Sequence, residues 1–211
     1  EEEYKRLTQD LYPTTSEGTD SLLNTTRPNI VIVLMESAGD FLTKAMPNLR
    51  RLKKEGIDFT NCYGNTWRTD RGTVCTYSGY PSFPTSSVMK MPKKTSQLPS
   101  IASALRAQGY QTSYLYGGDI NFTNMKSYLL SKGYQKLTAD TDFSLSERTS
   151  NVWGVNDDIT SEWLLEELKK RSEADEPWFT TYLTLSSHEP FDVPYARLEE
   201  KIPNAFAYTD A

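Results

Sequence analysis

Several features that often reveal the class of a protein are scarce in this sequence. Among 211 residues there are only two cysteines, Cys62 and Cys75, and their spacing matches no CxxC metal or redox signature. Two interpretations of the pair stay open: two small buried residues, or a disulfide, whose required Cα separation the sequence cannot test. Cysteine usage is therefore a weak guide to the compartment in which the protein works.

Long apolar runs and an excess of positive charge are missing as well. No apolar run approaches the roughly 18 residues that cross a bilayer, and residues 1–5 have neither the basic nor the apolar part of a signal peptide. With 23 Lys and Arg against 28 Asp and Glu, the net charge is -5, which gives a nucleic-acid partner no electrostatic support. The composition, 37% hydrophobic and 24% charged, is ordinary for a folded, soluble chain.

Strand-like and helix-like segments alternate along the chain. Residues 1–27 are polar and predict a leader or linker over the surface, so the folded domain is expected to span 28–211. A continuous β-branched apolar run from Ile30 to Met35 is typical of a parallel strand covered on both faces. Further strands are predicted at 57–63, 110–116 and 178–185. Helices are predicted at 47–54, 98–108, 122–130 and 157–170, and a short one follows the polar loop 64–73 and ends at about residue 78. The pattern predicts an α/β fold, a mainly parallel sheet with helices on both faces.

Three polar side chains come just after predicted strands. Glu36, Asp119 and His188 each lie directly beyond a strand end, and His188 is the only histidine. In open α/β sheets, ligands bind at the carboxyl ends of the strands. We therefore expect these residues to converge on one site.

Glu36 follows six apolar residues, so its carboxylate either faces solvent at the strand end or binds a cation there. The second interpretation is favoured, because a hard divalent cation requires carboxylate oxygen at a rigid point. Thr69 and Arg71 belong to a polar loop that enters a helix. A hydroxyl at a helix N-terminus lies among free N–H groups that attract phosphate or sulfate, and Arg71 would neutralise the anion. Taken alone, however, the loop favours the other interpretation, a helix cap with a salt bridge.

Asp119 and His188 also have two interpretations each. Asp119 follows Gly117 and Gly118 and either orients a substrate hydroxyl or caps the next helix, the latter favoured on local grounds. His188 is either a packed or exposed residue, or a group that holds a substrate oxygen.

The order of five segments resembles the sulfatase / alkaline-phosphatase superfamily. Residues 28–37 read Pro-Asn-Ile-Val-Ile-Val-Leu-Met-Glu-Ser, 46–56 read Met-Pro-Asn-Leu-Arg-Arg-Leu-Lys-Lys-Glu-Gly, and 59–63 read Phe-Thr-Asn-Cys-Tyr. The segments 98–116 and 178–191 are similar to the family's next helix and strand and to the strand that ends in a substrate-side His. The combination is specific, whereas each segment alone is not.

The loop at residues 68–72 separates the chain from true sulfatases. These carry a Cys or Ser in a C/S-x-P-x-R motif that matures to formylglycine, whereas the loop here reads Arg-Thr-Asp-Arg-Gly. Together with the Glu-Ser after the first strand, it is similar to the lipoteichoic acid synthase branch, the membrane-bound phosphoglycerol transferases. The resemblance implies that Thr69 is the nucleophile and that Glu36 and Thr69 bind Mn²⁺ or Mg²⁺, with Zn²⁺ or Ca²⁺ also possible. It further implies an acceptor-side role for Asp119 and substrate binding by His188.

The same resemblance implies a setting for the protein. The substrate would be an anionic phospholipid or a glycan, and the full-length protein would be anchored in the membrane, with its domain at the extracytoplasmic face of a bacterial cytoplasmic membrane. One alternative is a sulfatase-like hydrolase of sulfate esters or phosphodiesters. Another is a non-catalytic domain with the same fold.

The chain also departs from the branch. Gly117 stands where a substrate-site His is expected, and Asn124 and Lys126 replace a Trp and an Arg, which leaves the head group open. The family's Asp-His metal ligands lie beyond the strand that ends at His188, and no Asp-His-Gly occurs in this sequence. We therefore expect a C-terminally truncated domain that is inactive by itself.

Overall fold

A single parallel sheet organises the fold. The computed structural model describes residues 2, 3, 6 and 23–211, so most of the predicted leader, residues 1–27, lies outside the described residues. The sheet has the order β1-β4-β2-β3, and every pairing is parallel. Its strands are β1 (Ile30–Leu34), β2 (Gln111–Tyr116), β3 (Lys136–Thr138) and β4 (Trp178–Leu183).

Helices fill most of the connections between the strands. Across the described part of the chain they are α1 (Pro47–Glu55), α2 (Thr69–Ser78), α3 (Pro92–Thr95), α4 (Ile101–Ala107), α5 (Met125–Ser131), α6 (Leu145–Arg148), α7 (Asp157–Ser172) and α8 (Lys201–Thr209). Short 3₁₀ turns occur at Asp40–Ala45, Val88–Lys90, Phe122–Asn124 and Asp140–Asp142. No helix within residues 23–211 has both the length and the apolar character to cross a bilayer.

The two faces of the sheet carry separate apolar cores. Tyr114 and Phe179 belong to the larger cluster, which includes residues of α2, α4 and α5. Leu115 and Tyr182 alternate with them along β2 and β4 and pack with Leu164 of α7 on the other face. Helices therefore cover both faces, and the predicted α/β fold is confirmed.

The strand β1 differs from this pattern. Val31 and Val33 are 41% and 51% exposed, whereas Ile30, Ile32 and Leu34 pack against the larger cluster. Within the described residues β1 pairs only with β4 and is covered on one face. The prediction of a strand covered on both faces is therefore wrong here, because a continuous apolar run does not specify what lies opposite each face.

Two further predictions need correction. Residues 57–63 alternate in polarity but form turns and irregular chain, with Ile57 and Phe59 64% and 76% exposed. Alternation makes a strand only where a neighbouring strand offers hydrogen bonds, and β1 to β4 offer none here. Cys62 is exposed, Cys75 is half-buried and both are free, so neither the buried pair nor the disulfide is formed.

Candidate active site

A cleft of about 620 Å³ opens at the carboxyl edge of the sheet. It is lined by residues that follow β1, β2 and β4 and by the start of α2. Glu36, Thr69, Asp119 and His188 are all among them, as the sequence predicts. The strand-end rule therefore brings together residues that are 152 positions apart in the chain.

Glu36 and Thr69 are in direct contact. The hydroxyl of Thr69, the first residue of α2, donates to both carboxylate oxygens of Glu36, at 3.1 Å from Oε1 and 3.0 Å from Oε2. Ser37 Oγ donates to the same Oε1 at 3.1 Å. We call Glu36 and Thr69 the nucleophile end of the cleft, after the role that the sequence predicts for Thr69. The pair places a hydroxyl at a helix N-terminus beside a carboxylate. Because the carboxylate repels an anionic substrate, the hydroxyl can attack such a substrate only when a cation balances the negative charge.

The backbone of Glu36 is held from β4. Its N–H donates to Thr184 Oγ1 at 2.9 Å, and its carbonyl accepts from Ser187 Oγ at 2.7 Å. Both hydroxyls belong to the buried segment that follows β4. Sequence reasoning missed this support, since Ser and Thr near a strand end give no local signal of a partner on another strand.

Asp157 fixes the same segment from the other side. Its carboxylate is buried and accepts from the N–H groups of Leu185 (2.7 Å) and Ser186 (3.0 Å) and from Thr209 Oγ1 (2.8 Å). Burial raises the pKa of this carboxyl, and the hydrogen bonds oppose the rise. The sequence suggests Asp157 as the cap of the long helix, but the N-cap is Asn156 and Asp157 is the first helical residue.

Asp119 and His188 line the same cleft as Glu36 and Thr69. Asp119 is exposed, and its Oδ1 accepts from the backbone and side-chain nitrogens of Asn121 at 2.8 and 3.0 Å, so it caps a turn while facing the cleft. His188 Nδ1 lies 2.7 Å from the carbonyl oxygen of Glu189. A carbonyl only accepts, so Nδ1 carries the proton and Nε2 remains for a ligand.

Arg71 does not reach the cleft. Its Nη1 donates to the carbonyl of Pro84 at 2.8 Å, and its Nε is buried with no protein partner among the described residues. Arg68, the residue before Thr69, lines the cleft instead, and its Nε lies 4.0 Å from the buried carboxylate of Asp70. The positive charge that the sequence predicts at Arg71 for neutralising an anion is thus supplied in the cleft by the guanidinium of Arg68.

Trp153 enters the cleft from a segment with no strand or helix of its own. Its indole N–H donates to the carbonyl of Glu189 at 2.6 Å, and its ring lies 4.4 Å from the imidazole of His188 between centroids. We call Asp119, Trp153, His188 and Glu189 the acceptor end of the cleft, after the role that the sequence predicts for Asp119. Trp153 was missed by sequence reasoning, because a lone Trp in a polar stretch has no periodicity to interpret.

Glycines explain how this segment approaches so closely. An antiparallel bridge joins Gly118 to Gly154, and Val155 N donates to Gly117 O at 2.8 Å. A Cβ at Gly154 would lie 2.2 Å from Gly117 O, and one at Gly117 would lie 2.6 Å from Val155 O. The glycine pair after β2 therefore admits the Trp153 segment, and a side chain at Gly117 would exclude it.

Left-handed backbone conformations cluster around the cleft. Of the four non-glycine residues with positive φ in the described chain, three line it: Ser37 (57°), Thr123 (54°) and Phe191 (62°). Such conformations are costly for L-residues and occur preferentially at functional sites. The backbone thus supports the same location as the side chains.

The donor atoms at the nucleophile end fit part of a hard-cation site. A carboxylate and a hydroxyl supply oxygen ligands, which Mg²⁺ and Mn²⁺ prefer. Burial, then the carboxylates of Glu36 and Asp119, raise the pKa of Tyr116, which also lines the cleft. The described residues hold no cluster of three or more His, Cys, Asp or Glu that could bind a metal ion, so Glu36 and Thr69 are a partial ligand set.

Known proteins share this fold and sequence pattern. Residues 28–209 match the family model described as Sulfatase. Phosphoglycerol transferase I of Xanthomonas campestris pv. campestris is 29% identical over 156 residues, which are 69% of this chain and 22% of that protein. A crystal structure of a protein in the alkaline phosphatase superfamily from Vibrio parahaemolyticus superposes with a TM-score of 0.81 at 31% identity, covering 89% of this chain and 49% of that one.

A second solved structure extends the likeness in fold. The lipoteichoic acid synthase LtaP from Listeria monocytogenes has a TM-score of 0.83 at 16% identity, covering 97% of this chain and 55% of that one. The chain thus spans about a fifth of the curated relative and about half of the solved structures.

Proposed function

The chain belongs to the sulfatase family, and we propose that it transfers a phosphorylated head group such as phosphoglycerol, with Thr69 as the nucleophile. The observation that carries the proposal is the contact between the Thr69 hydroxyl, at the start of α2, and the Glu36 carboxylate at the end of β1. The relatives named phosphoglycerol transferase I support this head group.

The reaction would proceed in two displacements. In the first, Thr69 Oγ1 attacks phosphorus, the bond from phosphorus to the donor alcohol breaks, and the hydroxyl proton ends on the departing alcohol. In the second, an acceptor hydroxyl attacks the phosphoryl-Thr, the bond to Thr69 breaks, and the acceptor proton returns to Thr69. Each step forms and breaks one P–O bond, so atoms and charge balance.

The chain's own residues orient these steps. Glu36 holds the Thr69 hydroxyl from both carboxylate oxygens, and the N–H groups at the start of α2 face the anionic phosphoryl group. Arg68 adds positive charge beside Thr69, and His188 Nε2 can donate to a phosphoryl oxygen when the imidazole is protonated. Asp119 faces the acceptor hydroxyl.

A divalent cation bound by Glu36 and Thr69 would stabilise the ionised hydroxyl and the developing charge on phosphorus. Mn²⁺ or Mg²⁺ suits these oxygen atoms, and Zn²⁺ or Ca²⁺ are further candidates. Because the described residues supply only these two ligands, we expect the 211 residues by themselves to be inactive. Measurable turnover by this chain alone would contradict that expectation.

Substitution of Thr69 tests the proposal directly. In the full gene product, Thr69→Ala should abolish the covalent phosphoryl adduct seen by intact-protein mass spectrometry and lower turnover by at least about a thousandfold. Thr69→Ser keeps a hydroxyl and should retain an adduct at the same peptide. An adduct of unchanged yield in Thr69→Ala would overturn the assignment.

Hydrolysis is the second candidate function, because water can replace the acceptor in the second displacement without any change at Thr69. Supplying a labelled phosphoglycerol donor separates the two: transfer gives a labelled acceptor, whereas hydrolysis releases free glycerol phosphate at the same rate with and without acceptor. The absence of a Cys or Ser at position 69 favours phosphoryl over sulfuryl chemistry.

The proposed setting is the extracytoplasmic face of a bacterial cytoplasmic membrane, with a lipid or glycan as substrate. The resemblance to the lipoteichoic acid synthase branch supports it. Protease accessibility of the domain in intact spheroplasts would test it, since a domain on the cytoplasmic side of the membrane would be protected.

A further inference from the structure

Tyr116, the last residue of β2, contributes a phenol to the wall of the cleft. Its ring packs against the larger apolar cluster, which also contacts Leu34 at the end of β1 and includes residues of α2. Leu34 and Tyr116 pair with the same residue of β4, Leu183, so they lie at one level of the sheet. Tyr116 therefore lies on the face of the sheet that carries α2, the helix that begins at Thr69.

Gly118 fixes the position of the phenol ring. A Cβ at this residue would lie 2.6 Å from both Cζ and the hydroxyl oxygen of Tyr116, and 2.8 Å from Cε1. The tip of the ring thus rests on backbone without a side chain, one residue before Asp119. A side chain at position 118 would displace the ring, because packed atoms do not approach each other so closely.

The hydroxyl of Tyr116 is open to the cleft. In the part of the chain that the structure describes it forms no hydrogen bond within the protein, and it is not among the enclosed atoms that lack a partner. The hydroxyls of Tyr134 and Tyr182, by contrast, are bonded to Thr181 and Thr160 at 2.7 Å. A phenol that is largely withdrawn from water usually has a hydrogen-bond partner, so this hydroxyl remains available to a ligand.

The surroundings keep this hydroxyl protonated. Burial raises the pKa of Tyr116, and the carboxylates of Glu36 and Asp119 raise it further, so at neutral pH the phenol is an uncharged donor. Ionised carboxylates only accept hydrogen bonds and repel a phosphoryl group, which therefore requires donors from other side chains. Tyr116 is such a donor within the field of both carboxylates.

We propose that Tyr116 is a catalytic residue whose hydroxyl donates a hydrogen bond to a non-bridging phosphoryl oxygen during both displacements at Thr69. The inference rests on the proposed function, because it concerns the same two displacements. The proton stays on Tyr116 throughout, so only the P–O bonds to Thr69, the donor and the acceptor form and break. In the transition state the charge is spread over the equatorial oxygens, where a donor that is fixed by packing has its largest effect.

Tyr116→Phe tests this role in the full gene product, because it removes the hydroxyl and keeps the ring. Rapid-quench mass spectrometry should show that the Thr69 adduct forms about a hundredfold more slowly, while urea unfolding shows nearly unchanged stability. Tyr114→Phe is the matched control, since Tyr114 precedes Tyr116 by two residues on the same face of β2 but is buried in the core and does not line the cleft. Its adduct should form at the wild-type rate.

Two inhibitors separate contact in the transition state from a purely structural role. Orthovanadate imitates the phosphoryl group in its transition state, whereas inorganic phosphate imitates a bound product. Tyr116→Phe should weaken inhibition of adduct formation by vanadate about thirtyfold, and inhibition by phosphate no more than about threefold. A distorted cleft would weaken both to the same extent, and that result would overturn the proposal.

A backbone variant checks the position of the hydroxyl. Gly118→Ala should displace the phenol and slow adduct formation to a similar extent, and combining it with Tyr116→Phe should add little further loss. An unchanged rate in Tyr116→Phe, or fully additive losses in the double variant, would overturn the proposal. Absence of the adduct in the wild-type protein would instead overturn the proposed function, so the two failures are distinguishable.

Discussion

The two ends of the cleft are built in different ways. At the nucleophile end, Glu36 follows a core strand, and its backbone is bonded on both sides to the buried segment after β4. At the acceptor end, Trp153 comes from an irregular segment that rests on two glycines. The residues proposed to carry the chemistry thus lie at the sheet edge, whereas Trp153 lies on a loop.

This difference indicates which residue roles can be inferred from the family resemblance. The nucleophile end keeps the Glu-Ser and Thr-x-Arg-Gly pattern of the phosphoglycerol transferases, whereas Gly117, Asn124 and Lys126, in the segment after β2, depart from it. A sheet edge fixed by buried hydrogen bonds tolerates little change, while loops vary and carry specificity. We therefore expect substitutions at the two ends to affect different steps.

Glu36→Gln should have the largest effect. Loss of the charge that holds Thr69 and its cation should lower the rate of adduct formation on the order of a thousandfold, or about 4 kcal/mol. The free energy of unfolding should stay nearly unchanged. Rapid-quench mass spectrometry and urea unfolding of the same variant measure the two quantities. A parallel loss of both would show that Glu36 acts through the stability of the fold and not on Thr69.

Asp157→Ala should reduce the free energy of unfolding by about 3 kcal/mol, because three buried or half-buried donors lose their acceptor. Burial raises the pKa of this carboxyl above its unfolded value, so its contribution to stability is greatest at acidic pH and falls as the pH rises through the folded pKa. The stability difference between wild type and variant should therefore shrink from acidic to neutral pH.

Urea unfolding at both pH values measures this difference. Asp175→Ala, which removes an exposed carboxylate in the turn after α7, serves as the matched control and should leave stability nearly unchanged. If the Asp157 variant were as stable as the control, the buried carboxylate would not be what holds the segment after β4 in place.

Thr184→Val should have the smallest effect. The two side chains have the same shape, but Glu36 N–H loses its acceptor, which costs about 1 kcal/mol and slows adduct formation roughly fivefold. Thr181→Val is the control, since this buried hydroxyl of β4 bonds to the hydroxyl of Tyr134, just before β3, and not to Glu36. Equal rates of adduct formation in the two variants would mean that the hydrogen bond from Glu36 N–H to Thr184 does not affect the reactivity of Thr69.

The sequence predicts the residues at the sheet edge better than the loops that surround the cleft. The apolar run after Pro28 and the strand end at His188 are strong local signals, and the structure places Glu36, Thr69, Asp119 and His188 on one cleft. Their chemical roles stay predictions. The strand β3 was missed because three residues, Lys136–Thr138, are too few to show a period.

Contacts between distant segments account for the rest. Residues 57–63 have strand-like alternation but no partner strand, and the Trp153 segment has partners but no periodicity. Arg71 has the residue type for anion binding, yet its side chain turns to Pro84. Such outcomes depend on long-range packing, which a local pattern does not encode.

The left-handed residues around the cleft bear on protein engineering. Ser37, Thr123 and Phe191 each hold a conformation that costs an L-residue about 1 kcal/mol, and glycine would relieve it. A search for heat-resistant variants would therefore select these positions first. Their backbone also shapes the cleft, so thermostability gained there would come at the expense of turnover, and an engineer should look for it elsewhere.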